Sequence, residues 1–310
     1  MAPPLRRTCG TMSMHHALLE QVPSFRAAQT RLEHASAAAL RAGVAMRTGI
    51  TLIPVVVHVL WNKPAENISD AQIQSQIVVL NRDYRATNPD RTKTPAPWKG
   101  LVADARVEFA LATTDPAGKK TTGIERTKTS KLSFKADDSM KTVRGGGAAA
   151  WPADRYLNIW ICTLGDSLLG YAQFPGGPRA TDGVVILNTA FGTTGTAAKP
   201  FNLGRSATHE VGHWLNLRHI WGDTEDCSGG DFVADTPNAE TPNFGKPRFP
   251  HISCGNGPNG DMFMNYMDYV DDDAMFLFTS QQVVRMHTAL DGPRKTLGHT
   301  KTARQMRPKR

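Results

Sequence analysis

His209-Glu210-Val211-Gly212-His213-Trp214-Leu215-Asn216-Leu217-Arg218-His219 is the stretch on which the reading of this chain turns. Residues four apart on a helix share a face, so His209 and His213 can offer two imidazoles to one metal ion. Glu210 sits beside them, angled so that its carboxylate can reach a water on that metal. His219 comes six residues after His213. That is too far to lie on the same face one turn on, so the helix must stop and the chain must turn back for His219 to become a third ligand. Three neutral imidazoles with one open position describe a catalytic zinc site, not a closed structural one.

Outward from that stretch the pattern is α/β. Leu52–Trp61 is a β-branched run and reads as a buried strand. Ser69-Asp70-Ala71-Gln72 has capping-box form, and behind it Ile73, Ile77, Leu80 and Tyr84 recur with helical spacing. Val107–Ala112 follows as the next strand, which completes a βαβ opening. Further strands are expected at Tyr156–Cys162, Leu169–Phe174 and Val184–Leu187. The zinc helix is expected over Arg205–Leu217, and a last helix over Ser280–Leu290. Between about 218 and 278 the chain is rich in Gly, Pro, Asp and Asn, and little regular structure is expected.

The net charge of +8 is unevenly placed. Residues 1–47 carry six Arg and two Glu, and residues 293–310 carry seven basic side chains and no acid. The body between them holds 23 basic and 26 acidic side chains, net −3, which argues against a nucleic-acid-binding face. Residues 1–47 read as a separable segment with little to build a core, and 293–310 as a basic, solvated C-terminal tail. No run of about 18 apolar residues exists to span a membrane. Basic residues open the chain without an apolar stretch behind them, so a conventional signal peptide is not readable. The four cysteines form no CxxC pair, which leaves a thiolate zinc knuckle without support. Cys162, at the end of an apolar strand, reads as a buried small hydrophobe.

The whole arrangement resembles the metzincin clan of zinc endopeptidases, whose signature is HExxHxxGxxH. Asn216 departs from it, standing where the clan has Gly. The Gly is there because the chain leaves the helix with positive φ, and Asn is the non-glycine residue that most readily enters that region. The sequence therefore predicts a left-handed residue at 216. Asn265-Tyr266-Met267-Asp268-Tyr269 fits the methionine turn, with Met267 beneath the metal. HEVGHWLNLRHIWGD, GYAQFPGG at 170–177 and MNYMDY at 264–269 most resemble the pappalysin family, and within it the ulilysin-like enzymes. The resemblance covers about residues 50–290. It implies a metzincin-like catalytic domain over 48–292. An upper part, about 48–219, would hold a twisted mixed sheet with a backing helix and the active-site helix. An irregular lower part, about 220–292, would hold the Met-turn and the C-terminal helix.

It also implies metal-assisted hydrolysis of peptide bonds in protein or peptide substrates, with Glu210 as general base and Tyr269 stabilising the intermediate. Substrate is expected to lie extended along the strand near Leu169–Phe174. The resemblance pairs Cys227 with Cys254, a loop whose closure stabilises by roughly 3–4 kcal/mol and suits an oxidising, secreted or extracytoplasmic setting. Residues 219–273 hold eleven acids against one Lys and one Arg. That density suits calcium, with Asp231 and Thr236 as matched ligands and the Ala234 carbonyl as a third. Asp271-Asp272-Asp273 follow the Met-turn where the S1′ wall is built, and Asp273 is the first candidate for favouring Arg at P1′. In ulilysin-like zymogens an N-terminal Cys-Gly motif caps the zinc. Cys9-Gly10 matches it, which makes 1–47 a pro-segment removable at Arg41 or Arg47. The chain is expected to be a monomer. Two alternatives stand beside this reading: an inactive zinc-containing peptide-binding protein, and a zincin of another clan with an acidic third ligand such as Asp223.

Overall fold

The structure, a computed structural model, describes residues 4–43 and 47–301. Residues 302–310, half of the expected basic tail, lie outside the described residues. The chain opens on two helices, α1 (Thr11–Gln21) and α2 (Pro23–Arg41). Strand β1 (Ile50–Trp61), helix α3 (Asp70–Tyr84) and strand β2 (Val107–Leu111) form the βαβ opening. Strands β3 (Ile124–Lys128), β4 (Leu157–Cys162), β5 (Gly170–Ala172) and β6 (Val184–Leu187) lead to helix α4 (Arg205–Trp214). After it, among the described residues, come the two-residue strands β7 (Phe244–Gly245) and β8 (Tyr269–Val270), a single 3-10 turn at Asp272–Ala274, helix α5 (Ser280–Asp291) and strand β9 (His299–Lys301).

One twisted sheet in the order β2-β1-β4-β6-β5 carries the site. β1 is its spine, because Val55–Leu60 are buried without interruption and both faces are covered. β2 and β3 pair in parallel with successive halves of β1, while β4 and β6 continue the sheet in parallel. β5 runs antiparallel to β6 and forms the far edge. It is shorter than the predicted strand because Pro175-Gly176-Gly177 turns the chain away. β9 pairs with the start of β1, so residues 299–301 of the expected tail belong to the sheet.

Helix α3 backs α4. Its Ile73, Ile77, Leu80 and Tyr84 face inward, the Tyr84 hydroxyl donates to the Thr208 carbonyl at 3.0 Å, and Asp83 accepts from the Thr208 hydroxyl at 2.6 Å. Ser69 caps α3 through the Gln72 amide, but the Gln72 side chain goes to the carbonyls of Asn188 and Phe191 instead of completing a capping box. The upper and lower parts share one apolar core: Val55, Ile159 and Trp214 belong to the same cluster as Met267, Met275 and Leu290.

Residues 4–43 depart from the expectation of a segment with little core. Phe25, Gln29, Leu32 and Ser36 lie on one face of α2 and are buried, with α2 packed on α5. The remaining face is Ala-rich and polar, so the apolar stripe is thin and becomes evident only beside its partner.

Candidate metal centre

Helix α4 is buried along its whole length and ends at Trp214. Leu215 caps it, and Asn216 has φ +77°, the left-handed residue predicted at that position. Neither polar atom of the buried Asn216 side chain has a hydrogen-bond partner, so the amide adds cost where Gly would have none. The turn returns His219 to the helix face. The Nε2 atoms of His209, His213 and His219 come within 3.0–3.3 Å of one another.

The other ring nitrogens settle what those three atoms are. His209 Nδ1 lies 2.7 Å from the Tyr266 carbonyl, His213 Nδ1 lies 2.8 Å from the Leu217 carbonyl, and His219 Nδ1 lies 2.5 Å from Asp223 Oδ1. Each partner accepts a proton, so each ring keeps its N–H on Nδ1 and turns a lone pair inward on Nε2. Burial pushes the pKa of His209 and His213 well below the ordinary value, which keeps both rings neutral. Three inward lone pairs repel one another unless a cation lies between them. Zinc–nitrogen bonds of about 2.0–2.1 Å in a tetrahedron put nitrogens about 3.3 Å apart, so this donor set fits zinc. Asp223 is occupied by His219, outside the cluster.

Cys9 supplies the fourth atom. Its Sγ lies within 4.8 Å of the three histidine nitrogens. Its backbone forms a parallel bridge to Gly170, with Gly10 N–H donating to the Gly170 carbonyl and Leu169 N–H to the Thr8 carbonyl, both at 3.0 Å. Glu210 Oε2 accepts from the Cys9 thiol at 3.3 Å and from the Thr11 hydroxyl at 2.9 Å. Burial pushes the Glu210 carboxyl up to about 7, with these two donors opposing the shift. The Tyr269 hydroxyl accepts from Cys9 N–H at 3.2 Å, and its ring stands edge-on to His219.

Two glycines not singled out in the sequence make room for this packing. A Cβ on Gly212 would meet Met267 Sδ at 2.5 Å, so the thioether lies directly under the zinc helix. A Cβ on Gly170 would meet Glu210 Cγ at 3.0 Å and the Val185 carbonyl at 2.6 Å. A larger residue at either position would displace Met267 or Glu210.

The acid run after the Met-turn separates by burial. Asp273 faces solvent and pairs with Lys246 at 2.6 Å. Asp272 is fully buried and accepts from Arg7 Nη2 at 2.7 Å, from Leu203 N at 2.8 Å and from Arg205 N at 3.2 Å. Arg7 also donates to Ser206 Oγ and the Val270 carbonyl, and it lies over the Phe201 ring. The sequence places all three acids at this wall and puts Asp273 first; which of three adjacent acids turns inward carries no periodic signal, and the pairing of Asp272 with Arg7 appears only in the fold.

Cys227 and Cys254 are joined as a disulfide that ties down the irregular stretch. Cys162 is a buried free thiol, as its strand suggested, and burial pushes its pKa up. Asp231 and Thr236 are brought together, but by a mutual hydrogen bond of 2.7 Å, and Asp231 also accepts from Val233 N. Among the described residues, Cys9 and the three histidines are the one group of three or more His, Cys, Asp or Glu side chains gathered closely enough to hold a metal. Among the described residues no helix is long and apolar enough to cross a membrane.

Comparison with known proteins agrees with this geometry. Residues 143–291 match the family model described as pregnancy-associated plasma protein-A. An extracellular metalloprotease of Colletotrichum graminicola is 32% identical over 297 residues, covering 91% of this chain and 90% of its own. One from Pyricularia oryzae is 33% identical over 258 residues, with 80% and 78% covered. Among solved structures, a mutant of Tannerella forsythia promirolysin is 48% identical with a TM-score of 0.87, covering 94% of this chain and 97% of that one. Mature mirolysin from the same organism, in complex with a cleaved peptide, is 52% identical with a TM-score of 0.80, covering 81% and 97%. A three-histidine centre on a helix ended by a left-handed Asn, relatives that match over most of their length, and a shared fold place this chain in the pappalysin family of metzincins, as a zinc metalloendopeptidase.

Proposed function

We propose that the chain is made as a latent zinc endopeptidase, with residues 1–47 as a pro-segment blocking the cleft of a catalytic domain at 48–292. The observation that carries this is Cys9, set among three imidazoles with its backbone laid along β5. His209, His213 and His219 would hold the zinc, and Cys9, deprotonated to the thiolate, would fill the position that the reaction needs open. When bound, zinc polarises the scissile carbonyl and lowers the pKa of a water. Glu210 would take the proton from that water and later deliver it to the leaving amine. Tyr269, once Cys9 has left, donates to the developing oxyanion. Replacing Cys9 with Ala should speed pro-segment loss about tenfold or more, followed by gel over time. An unchanged rate would count against the latent reading.

Chain direction supports the same reading. The pro-segment runs parallel to β5, from Arg7 in the Asp272 pocket, past the metal, toward Phe174. A substrate with Arg at P1′ in that pocket must approach it from the Phe174 side, antiparallel to β5. The pro-segment therefore lies reversed and offers no scissile bond in register.

The P1′ preference for Arg passes from Asp273 to Asp272, since a buried carboxylate beside a guanidinium discriminates and a solvated one does not. Xaa-Arg peptides should be cut faster than Xaa-Leu peptides. Asp272→Asn should reduce that ratio by roughly 10–100-fold, the scale of a charge-assisted hydrogen bond. Equal cleavage of both peptides by the parent enzyme would sink the preference. Arg41, at the end of α2, and Arg47, held by Asp291 and Thr51, are then sites at which the enzyme could trim itself.

Calcium at Asp231 is a proposal that rests on one buried acid, which accepts from Thr236 and Val233 N and feels the Arg285 charge without a direct ion pair. Burial pushes Asp231 from the ordinary 3.8 up to about 7. The folded chain thus holds this proton more tightly than the unfolded one. Stability from it is present below about pH 4 and lost as pH rises through about 7. Without calcium, stability should fall by roughly 1–4 kcal/mol between pH 5 and 8, with Asp268 contributing through the same burial effect. Calcium should reverse part of this fall in the parent chain and none in Asp231→Asn, as read by thermal melts. An equal calcium effect in both would remove Asp231 from the site. Secretion is supported by relatives named extracellular and by the Cys227–Cys254 bond. The reading is completed by a monomer without a nucleic-acid partner, acting on protein or peptide substrates.

A further inference from the structure

Two arginines of the catalytic domain lie on the Phe174 side of the metal, and the side chains that meet their guanidinium nitrogens, Glu33 and Met12, come from the first 47 residues. Arg285 on α5 is fully buried and takes Glu33 of α2 in a bidentate pair, Nη1 to Oε2 and Nη2 to Oε1, both at 2.8 Å. Its Nε and Nη2 also hold the Asn216 carbonyl, at 3.2 and 3.1 Å, so its fork is fixed against the end of the zinc helix. Arg218, next to His219, is nine-tenths buried and lies over the Phe174 ring at 4.2 Å. Among the described residues Arg218 forms no ion pair. Its Nε has no partner, and its Nη1 meets only Met12 Sδ at 3.6 Å. Both guanidiniums lie over the Phe232 ring, at 6.0 and 5.4 Å. The acid that acts most strongly on Arg218 is again Glu33. The domain's own nearby acids are engaged elsewhere: Asp223 with His219, Asp231 with Thr236 and Val233 N.

The domain's own acids act on this buried guanidinium pair only from a distance, Asp223 on Arg218 and Asp231 on Arg285, and none of them makes a direct ion pair with either among the described residues; a carboxylate supplied at hydrogen-bond distance offsets the cost of burying the pair. We infer that Arg218 and Arg285 form a carboxylate-binding subsite on the non-primed side of the cleft. Glu33 fills it in the latent chain, and an acidic side chain of the substrate, N-terminal to the scissile bond, fills it afterwards. Arg285 presents the rigid fork, and Arg218 brings the subsite up to the metal. The inference rests on the peptidase reading and on release of the pro-segment, and it adds a second charge to the specificity: acid before the bond, base after it.

The test uses the full chain activated by limited proteolysis, with Xaa-Arg peptides that carry Glu or Gln at each of the four positions before the bond. At one position Glu should raise kcat/KM about tenfold or more over Gln at low salt, and Arg218→Gln should remove that ratio. Equal rates at all four positions, or a ratio that survives Arg218→Gln, would overturn the subsite. Were no peptide cleaved, the peptidase reading would fail instead. Calorimetric binding of the same Glu and Gln peptides would then decide the subsite, with equal affinities overturning it. In the unactivated chain, Glu33→Gln should speed pro-segment release, since it leaves Arg285 without its charge partner.

Discussion

Glu210→Ala should lower kcat/KM of the activated chain by about 10²–10⁴-fold, the usual worth of a general acid–base group, while zinc content stays at that of the parent. The expectation follows from placement. Glu210 sits on α4 between two ligand histidines, and Gly170 leaves its Cγ the space to lie against the edge strand. In this structure its carboxylate accepts from the Cys9 thiol and the Thr11 hydroxyl. A water in the position of the thiol would face the same oxygen. Because no imidazole leans on Glu210 for its tautomer, metal binding should be untouched. The activity and zinc analyses separate the two roles: loss of both would mean that Glu210 supports the fold of the centre and is not its base.

His219→Ala should weaken zinc binding by about 10²–10³-fold. The binding energy of a four-ligand zinc site, about 10–16 kcal/mol, amounts to roughly 2.5–4 kcal/mol for each ligand. Asp223→Ala should weaken it by about 10–100-fold, as expected for a group that only orients a ligand. The contrast decides between His219 and Asp223 as third ligand. Asp223 Oδ1 takes the His219 Nδ1 proton, and His219 Nε2 faces the other two rings. Should Asp223→Ala prove the more damaging of the two in competition with a chelator dye, the acid-ligand arrangement would replace the three-histidine one.

Local chemistry explains what could be read in advance. The i,i+4 histidines, the β-branched run of β1 and the inward face of α3 each express their structure within a few residues. Asn216 could be assigned a positive φ because that requirement is local to one residue. Legibility ends where a role depends on a distant partner. Gly212 has no meaning until Met267 is brought beneath it. Asp272 differs from Asp271 and Asp273 only through Arg7, Leu203 and Arg205. The stripe of Phe25, Gln29, Leu32 and Ser36 needs α5 to make sense of it. Gln72, placed correctly for a capping box, is drawn off by two carbonyls in the loop after β6. Such contacts join separate parts of the chain, and no window of sequence contains both halves of them.

The parallel run of residues 8–10 beside β5 has a consequence for inhibitor chemistry. A polypeptide has a head and a tail, and on the proposed reading the groove distinguishes them by which end reaches the Asp272 pocket first. If the proposed latency and P1′ preference hold, a short peptide in the order Arg-Thr-Cys-Gly should block the groove, whereas the same residues in the opposite order should be cut. Latency of this sort needs no chemical modification and no large lid. It needs only that the thread be laid in backwards, and it lasts until something cuts the thread elsewhere.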